Sequence, residues 1–140
     1  MSDLDALIRV RKHTVEQKQK FLSELYRQAE ELEAQKQTLV DQMVQEREAI
    51  KGMPPEMQSY FGPFADAVRE RIEDIEQSQA TLEGRIEVAR DVMREAFAAL
   101  KKVEVTQERR EAEEQAEINA KEGKELDETA LEIFRRQQED

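Results

Sequence analysis

The sequence predicts an all-α protein, namely a long antiparallel two-helix coiled-coil hairpin with an overhanging C-terminal helix. Ala, Glu, Lys, Leu and Arg account for 72 of the 140 residues, a composition typical of long helices. Five of the seven Gly and Pro residues fall between positions 52 and 63, so one break separates two long stretches. In both stretches apolar residues recur at alternating spacings of three and four, as in coiled coils.

The first helix is predicted over residues 3–51, with Ser2 or Asp3 as its N-cap. Its seam, meaning the positions that face the second helix, has eleven apolar members among fifteen. The seam positions are Leu4, Ile8, Arg11, Val15, Lys18, Leu22, Leu25, Ala29, Leu32, Lys36, Leu39, Met43, Glu46, Ile50 and Met53. The four polar members have long side chains, which bury their stems and keep their charges in water.

A turn is predicted over residues 52–63. Gly52 and the Pro54-Pro55 pair end the first helix, because proline lacks an amide donor and disfavours helical geometry in the residue before it. The turn and the residue after it are unusually apolar, with Met53, Met57, Tyr60, Phe61 and Phe64. These side chains either cap the end of the hairpin or form a partner-docking surface, and both interpretations can hold together.

The second helix is predicted over residues 64–110, with Pro63 suited to its first turn. Its seam has eleven apolar members among twelve. They are Ala65, Val68, Ile72, Ile75, Gln79, Leu82, Ile86, Ala89, Met93, Ala96, Leu100 and Val103. Of the next nine positions in the same register only Leu131 is apolar. Gly84 lies off the seam, and we interpret it as a tolerated local weakness of about 1 kcal/mol.

The lengths of the two seams predict how the chain folds. If the chain folds about residue 57 or 58, residue i faces residue 115 − i, and the first helix ends opposite the point where the second seam stops. Arms of about 70 Å follow from a rise of 1.5 Å per residue. A parallel dimer of broken rods is the rival architecture, but it does not explain where the second seam stops.

Residues 111–140 then form an acidic helical overhang. They hold 11 acids and 4 bases, which is most of the net charge of −11. Leu126, Ala130, Ile133 and Phe134 are spaced like one helical face. The overhang is either a solvated tail or a segment that completes its helix on a partner.

Several classes of function have no support in the sequence. Cysteine is absent, His13 is the only histidine, and no nucleotide, metal or catalytic motif is recognisable, so we expect neither an enzyme nor a cofactor. The negative charge disfavours nucleic acid. The longest apolar run, Ala96–Leu100, is too short for membrane insertion, and there is no secretory signal, so we expect a cytoplasmic protein.

The first helix carries a basic cluster, which consists of Arg9, Arg11, Lys12, Lys18 and Lys20. We interpret this cluster either as a contact for an acidic partner or as charge that balances acids on the opposite helix.

Three segments of the sequence resemble the flagellar export protein FliJ family. They are Leu4–Arg11, Ala96–Glu104, and Lys124–Glu128 followed by Phe134–Arg136. The most specific match is Leu126-Asp127-Glu128 with the trailing Arg135-Arg136, because seam periodicity does not require these residues. The resemblance covers nearly the whole chain and agrees with the antiparallel coiled coil predicted above.

The resemblance implies a non-enzymatic role in flagellar type III protein export, and hence in motility. Members of the family are similar to the central stalk of rotary ATPases. They bind the hexameric export ATPase, the export gate membrane protein and export chaperones, at the cytoplasmic face of the apparatus. The gate contact implies partner-binding roles for Phe64 and Val68. The C-terminal match implies such roles for Leu126, Asp127, Glu128, Arg135 and Arg136.

The gate contact of the family is matched only in part. Some relatives carry tyrosines late in the first helix, whereas this chain has Asp41-Gln42-Met43-Val44 there, so the resemblance does not extend to that half of the contact.

Two alternatives remain open from the sequence. The chain could instead be a structural or adaptor coiled coil outside flagellar export. It could also be the equivalent stalk protein of a virulence type III secretion system, which would share the fold.

Overall fold

The computed structural model describes residues 4–139, and every regular element in that range is a helix. Helix α1 spans Asp5–Ile50, α2 spans Pro55–Gln58 and α3 spans Phe61–Glu139. The all-α prediction with two long helices is therefore confirmed. The predicted N-cap, Ser2 or Asp3, lies outside the described residues.

Backbone hydrogen bonds show how the chain turns between the long helices. The amide of Met53 donates to the carbonyl of Ile50 over 3.1 Å, which closes the end of α1. Pro54, which has no amide donor, then accepts bonds from the amides of Met57 and Gln58. The result is the single turn of α2, which begins with Pro55 at its first position.

Helix α3 begins at Phe61, three residues before its predicted start. Its first turn contains Pro63, and proline is tolerated there because the first amides of a helix have no intrahelical acceptor. The helix continues through Gly84 and Gly123 to Glu139. These two glycines therefore do not interrupt the helix.

The described chain separates into two compact units. The larger unit comprises Thr14–Ala96 and contains the turn. Within it α1 and α3 run antiparallel, around a buried cluster of Leu22, Leu25, Leu82, Ile86 and Ala89. Three polar contacts cross between the helices, namely Glu33–Gln79 at 2.7 Å, Lys36–Glu76 at 3.8 Å, and Arg90, whose Nε donates to the Tyr26 hydroxyl over 2.8 Å. The first two follow a register in which residue i faces residue 112 − i, three less than predicted, whereas Tyr26 and Arg90 sum to 116, within one of the predicted 115.

The smaller unit combines the N-terminal residues up to His13 with the residues from Phe97 onward. Ile8 is buried in it. The Nε2 group of Gln107 donates a hydrogen bond of 2.5 Å to Oδ1 of Asp5, the first residue of α1. Gln107 is also the last half-buried residue of α3 before Gly123, so among the described residues the buried part of this pairing ends level with Asp5.

The burial pattern confirms the predicted seams. All twelve seam positions of α3 are buried or half-buried. In the first seam, from Leu4 to Met53, the same holds for every position except Arg11, Glu46 and Met53. Lys18 and Lys36 are half-buried, as expected for long polar side chains that bury their stems.

Candidate protein-binding surfaces

The first candidate surface is the C-terminal arm, which we define as residues 111–139 of α3. Within the arm every residue is exposed except Gly123, which is half-exposed. The helix is nevertheless continuous to Glu139. An isolated helix gains little from its own hydrogen bonds in water, so this arm lacks the packing that stabilises the rest of α3.

Large apolar side chains on the arm are open to solvent. Leu126 is 70% exposed, Ile133 is 52% exposed and Phe134 is 55% exposed. Together with Ala130 they follow the spacing of one helical face, as the sequence predicted. We call this set of four residues the apolar face of the arm. Contiguous exposed apolar side chains of this kind commonly mark interaction sites.

The charged residues predicted to bind a partner lie on the same arm. Asp127, Glu128, Arg135 and Arg136 are all exposed. Arg136 is held by an ion pair to Glu132, one helical turn earlier, with 3.0 Å between nitrogen and oxygen. The five predicted residues of the arm are therefore accessible.

The second candidate surface is the tip of the larger unit, which we define as residues 52–64. Phe61 and Phe64 are half-buried, with ring centroids 6.4 Å apart. The guanidinium of Arg47 lies over the Phe61 ring, 5.8 Å from its centroid. These two aromatic rings thus close the end of the hairpin.

Other side chains of the tip point outward. Tyr60 is 73% exposed, Met57 is 50% exposed and Met53 is 41% exposed. The two interpretations of the apolar turn therefore apply to different residues. The phenylalanines act as a cap, whereas the methionines and Tyr60 form an open apolar surface.

The tip places the two predicted gate-binding residues in different environments. Phe64 lies in the first turn of α3 and is half-buried. Val68, one helical turn later, is a seam residue and only 6% exposed. Its membership of the seam was visible in the sequence and already indicated burial. A partner at the tip therefore reaches Phe64, Tyr60 and Met57 more readily than Val68.

Polar contacts on the sides of the larger unit are those of a solvated helix surface. Arg27 donates to Glu24 over 2.6 Å and also pairs with Glu31 at 3.2 Å. The hydrogen bond from Arg27 lowers the pKa of the Glu24 carboxyl. These side chains are about half exposed, and exposed pairs of this kind contribute little to stability.

No group of three or more potential metal ligands is assembled among residues 4–139.

A family model described as flagellar FliJ protein matches residues 1–139, essentially the whole chain. No curated protein matches the chain, and no solved structure matches it.

Proposed function

The chain belongs to the flagellar FliJ protein family, and we propose that it binds the export ATPase ring through its C-terminal arm and the export gate through its tip. Its family associates it with flagellar type III export, and we propose that it acts there without catalysing a reaction. We further propose that it resembles the stalk of rotary ATPases in this role and assists delivery of chaperones and their substrates. The flagellar family favours this function over an adaptor or a virulence-system stalk.

The observation that carries the proposal is the exposed apolar face of the arm. Leu126, Ile133 and Phe134 are each more than half exposed, and among residues 4–139 the part of α3 beyond Gln107 contains no buried side chain. Burial of such side chains against a partner stabilises both the complex and the helix. A ring-shaped ATPase with a central opening would surround the arm and cover its faces together.

The charge of the arm supports a cationic binding site on the ATPase. Residues 111–140 contain 11 acids and 4 bases. Opposite charge across an interface accelerates association and selects the partner. Arg135 and Arg136 are outnumbered by Glu132, Glu139 and Asp140 in the last ten residues, so a cationic partner surface is expected to extend to the end of the arm.

We assign gate binding to the tip. Phe64 supplies an aromatic edge, and Tyr60 and Met57 supply exposed apolar surface beside it in sequence. Val68 then acts from within the seam by holding the first turns of α3 against α1. Among residues 4–139 no helix is long and apolar enough to cross a membrane. We propose that the protein associates peripherally with the cytoplasmic face of the export apparatus.

A pull-down with the cognate export ATPase tests the role of the arm. Full-length protein should retain the ATPase, whereas a chain truncated after residue 110 and a full-length Leu126→Glu, Ile133→Glu variant should not. Leu131→Glu is the matched control, because Leu131 is 57% exposed but lies off the apolar face. Equal retention by the truncated chain would exclude the arm as the ATPase-binding segment.

A genetic experiment tests the flagellar role itself. Deletion of the gene should reduce swimming in soft agar, and expression of the wild-type chain should restore it. Normal swimming of the deletion strain would contradict a role in flagellar export.

A further inference from the structure

One side of the larger unit carries an apolar groove between α1 and α3. Its volume is about 460 Å³, and its apolar lining includes Phe21 from α1 with Val88 and Val92 from α3. Gly84 also lines the groove. No atom lies within 4 Å of the position that a Cβ would occupy on this glycine, so the missing side chain leaves open space. Gly84 therefore helps to shape the groove.

The apolar lining of the groove is open to solvent. Phe21 is 51% exposed and Val88 is 63% exposed, although both belong to helices that bury their seams well. The two side chains come from different helices and meet in one groove. They therefore form a continuous apolar surface rather than two isolated exposed residues.

The charged groups that line the groove are both cations. Lys18 comes from α1 and Arg85 from α3, and no acidic residue lines the groove. Neither cation forms one of the ion pairs found in the described part of the chain. In a protein with a net charge of −11, an apolar groove with one cation from each helix favours an apolar helix flanked by carboxylates.

We propose that this groove binds the C-terminal arm of a second copy of the chain. The apolar face of the arm offers Leu126, Ala130 and Ile133 at helical spacing. Glu125 and Asp127 lie on either side of Leu126, and both are exposed. The occupant therefore matches the groove in both polarity and charge. Exclusion of water strengthens the attraction between Lys18 or Arg85 and these carboxylates.

The contact joins two copies because the groove and the arm belong to one uninterrupted helix. Helix α3 provides Val88 and Leu126 without a break between them, and a continuous helix cannot lie alongside itself. When two copies are related by a two-fold axis, each groove receives the arm of the other copy. The assembly then closes as a dimer rather than extending into a filament.

This interaction is independent of the proposed export role, since it requires only the two surfaces of the chain. It also uses the apolar face assigned to the ATPase. Dimer formation and ATPase binding are consequently expected to exclude each other, so that added ATPase shifts the dimer towards a complex with single chains.

Analytical ultracentrifugation of the full-length protein tests the proposal. The wild-type chain should sediment as a concentration-dependent dimer that weakens as salt is added. Val88→Glu places a carboxylate in the groove, and Leu126→Glu places one on the apolar face, so each variant should lose the dimer. Val44→Glu is the matched control, because Val44 is 54% exposed and does not line the groove. It should dimerise like the wild type.

Mixing the two defective variants gives the decisive measurement. Val88→Glu retains an intact arm and Leu126→Glu retains an intact groove, so the mixture should recover a one-to-one dimer that neither variant forms alone. Thermal melting shows whether each variant is folded. A wild-type chain that is monomeric at every concentration overturns the proposal and leaves the groove to a helix of another protein. A wild-type dimer that both variants preserve overturns it as well.

Discussion

Gln79 donates a hydrogen bond of 2.7 Å from Nε2 to Oε2 of Glu33, which joins α3 to α1 across the hairpin. Gln79 is the only polar member of the predicted α3 seam and is half-buried, whereas Glu33 is exposed. A polar residue in a coiled-coil seam fixes the register at a cost in stability. This bond therefore fixes the register between α1 and α3 and contributes little to the stability of the hairpin.

Replacement of Gln79 by Leu should stabilise the hairpin. The substitution buries apolar surface and leaves Glu33 in contact with water, so we expect the free energy of unfolding to rise by about 1 kcal/mol. Urea denaturation followed by circular dichroism measures the change. Gln77→Leu is the control, because Gln77 is exposed on the same helix and should give no rise. A loss of stability in Gln79→Leu would mean that the hydrogen bond outweighs apolar burial.

Leu25 is the residue whose truncation should cost most. It is 1% exposed and lies in the cluster with Leu22, Leu82 and Ile86. Leu25→Ala removes buried methyl groups and leaves a cavity, so the free energy of unfolding should fall by about 2–5 kcal/mol. The same denaturation experiment measures this loss. Leu131→Ala, at a position 57% exposed, should change stability by less than about 0.5 kcal/mol. Similar losses in both variants would contradict the assigned core.

The seams could be predicted from sequence because they depend on periodicity alone. A spacing of three and four residues places Leu22, Leu25 and Leu82 on facing stripes whatever the details of the turn. The start of α3 at Phe61 was harder to predict. It depends on the tolerance of a helical first turn for Pro63 and on the packing of Phe61 against Arg47 and Phe64, which sequence spacing does not reveal.

The sequence predicted the exposed arm better than it predicted the tip or the groove. The exposure of the arm followed from the end of the α3 seam, and the positions of Leu126 and Phe134 followed with it. The burial of Val68 was implied by the seam but conflicted with the role that the family resemblance suggested. The groove beside Gly84 could not be predicted, because it depends on how Phe21 and Val88 meet across the two helices. From the sequence alone, Gly84 indicated only a local weakness of the second helix.

Substitutions at the tip should separate gate binding from hairpin stability. Tyr60 is 73% exposed and Val68 is 6% exposed. Tyr60→Ala should leave the melting temperature nearly unchanged but weaken binding to the soluble domain of the export gate. Val68→Ala should lower the free energy of unfolding by about 1–3 kcal/mol, because it truncates a buried side chain. Isothermal titration calorimetry and thermal melting measure the two effects.

The control for the tip is Val40→Ala, at a position 37% exposed on α1 and outside the tip. It should affect neither gate binding nor stability by much. Unchanged gate binding in Tyr60→Ala would show that the outward-facing residues of the tip are not the gate contact.

The carboxylates of the arm should control how fast the ATPase is bound. Asp127 and Glu128 are exposed, and exposed charges at the edge of an interface mainly affect association rates and salt dependence. The Asp127→Asn, Glu128→Gln variant should therefore associate more slowly with the cognate ATPase at low salt and depend less on ionic strength. Its melting temperature should match that of the wild type, because both side chains are exposed and exposed substitutions change stability little. Stopped-flow measurements at several salt concentrations give the rates.

The matched control is the Glu73→Gln, Asp74→Asn variant, since it removes an adjacent exposed acidic pair from the larger unit. If both variants lose the same salt dependence, the net charge of the chain rather than the arm steers the encounter.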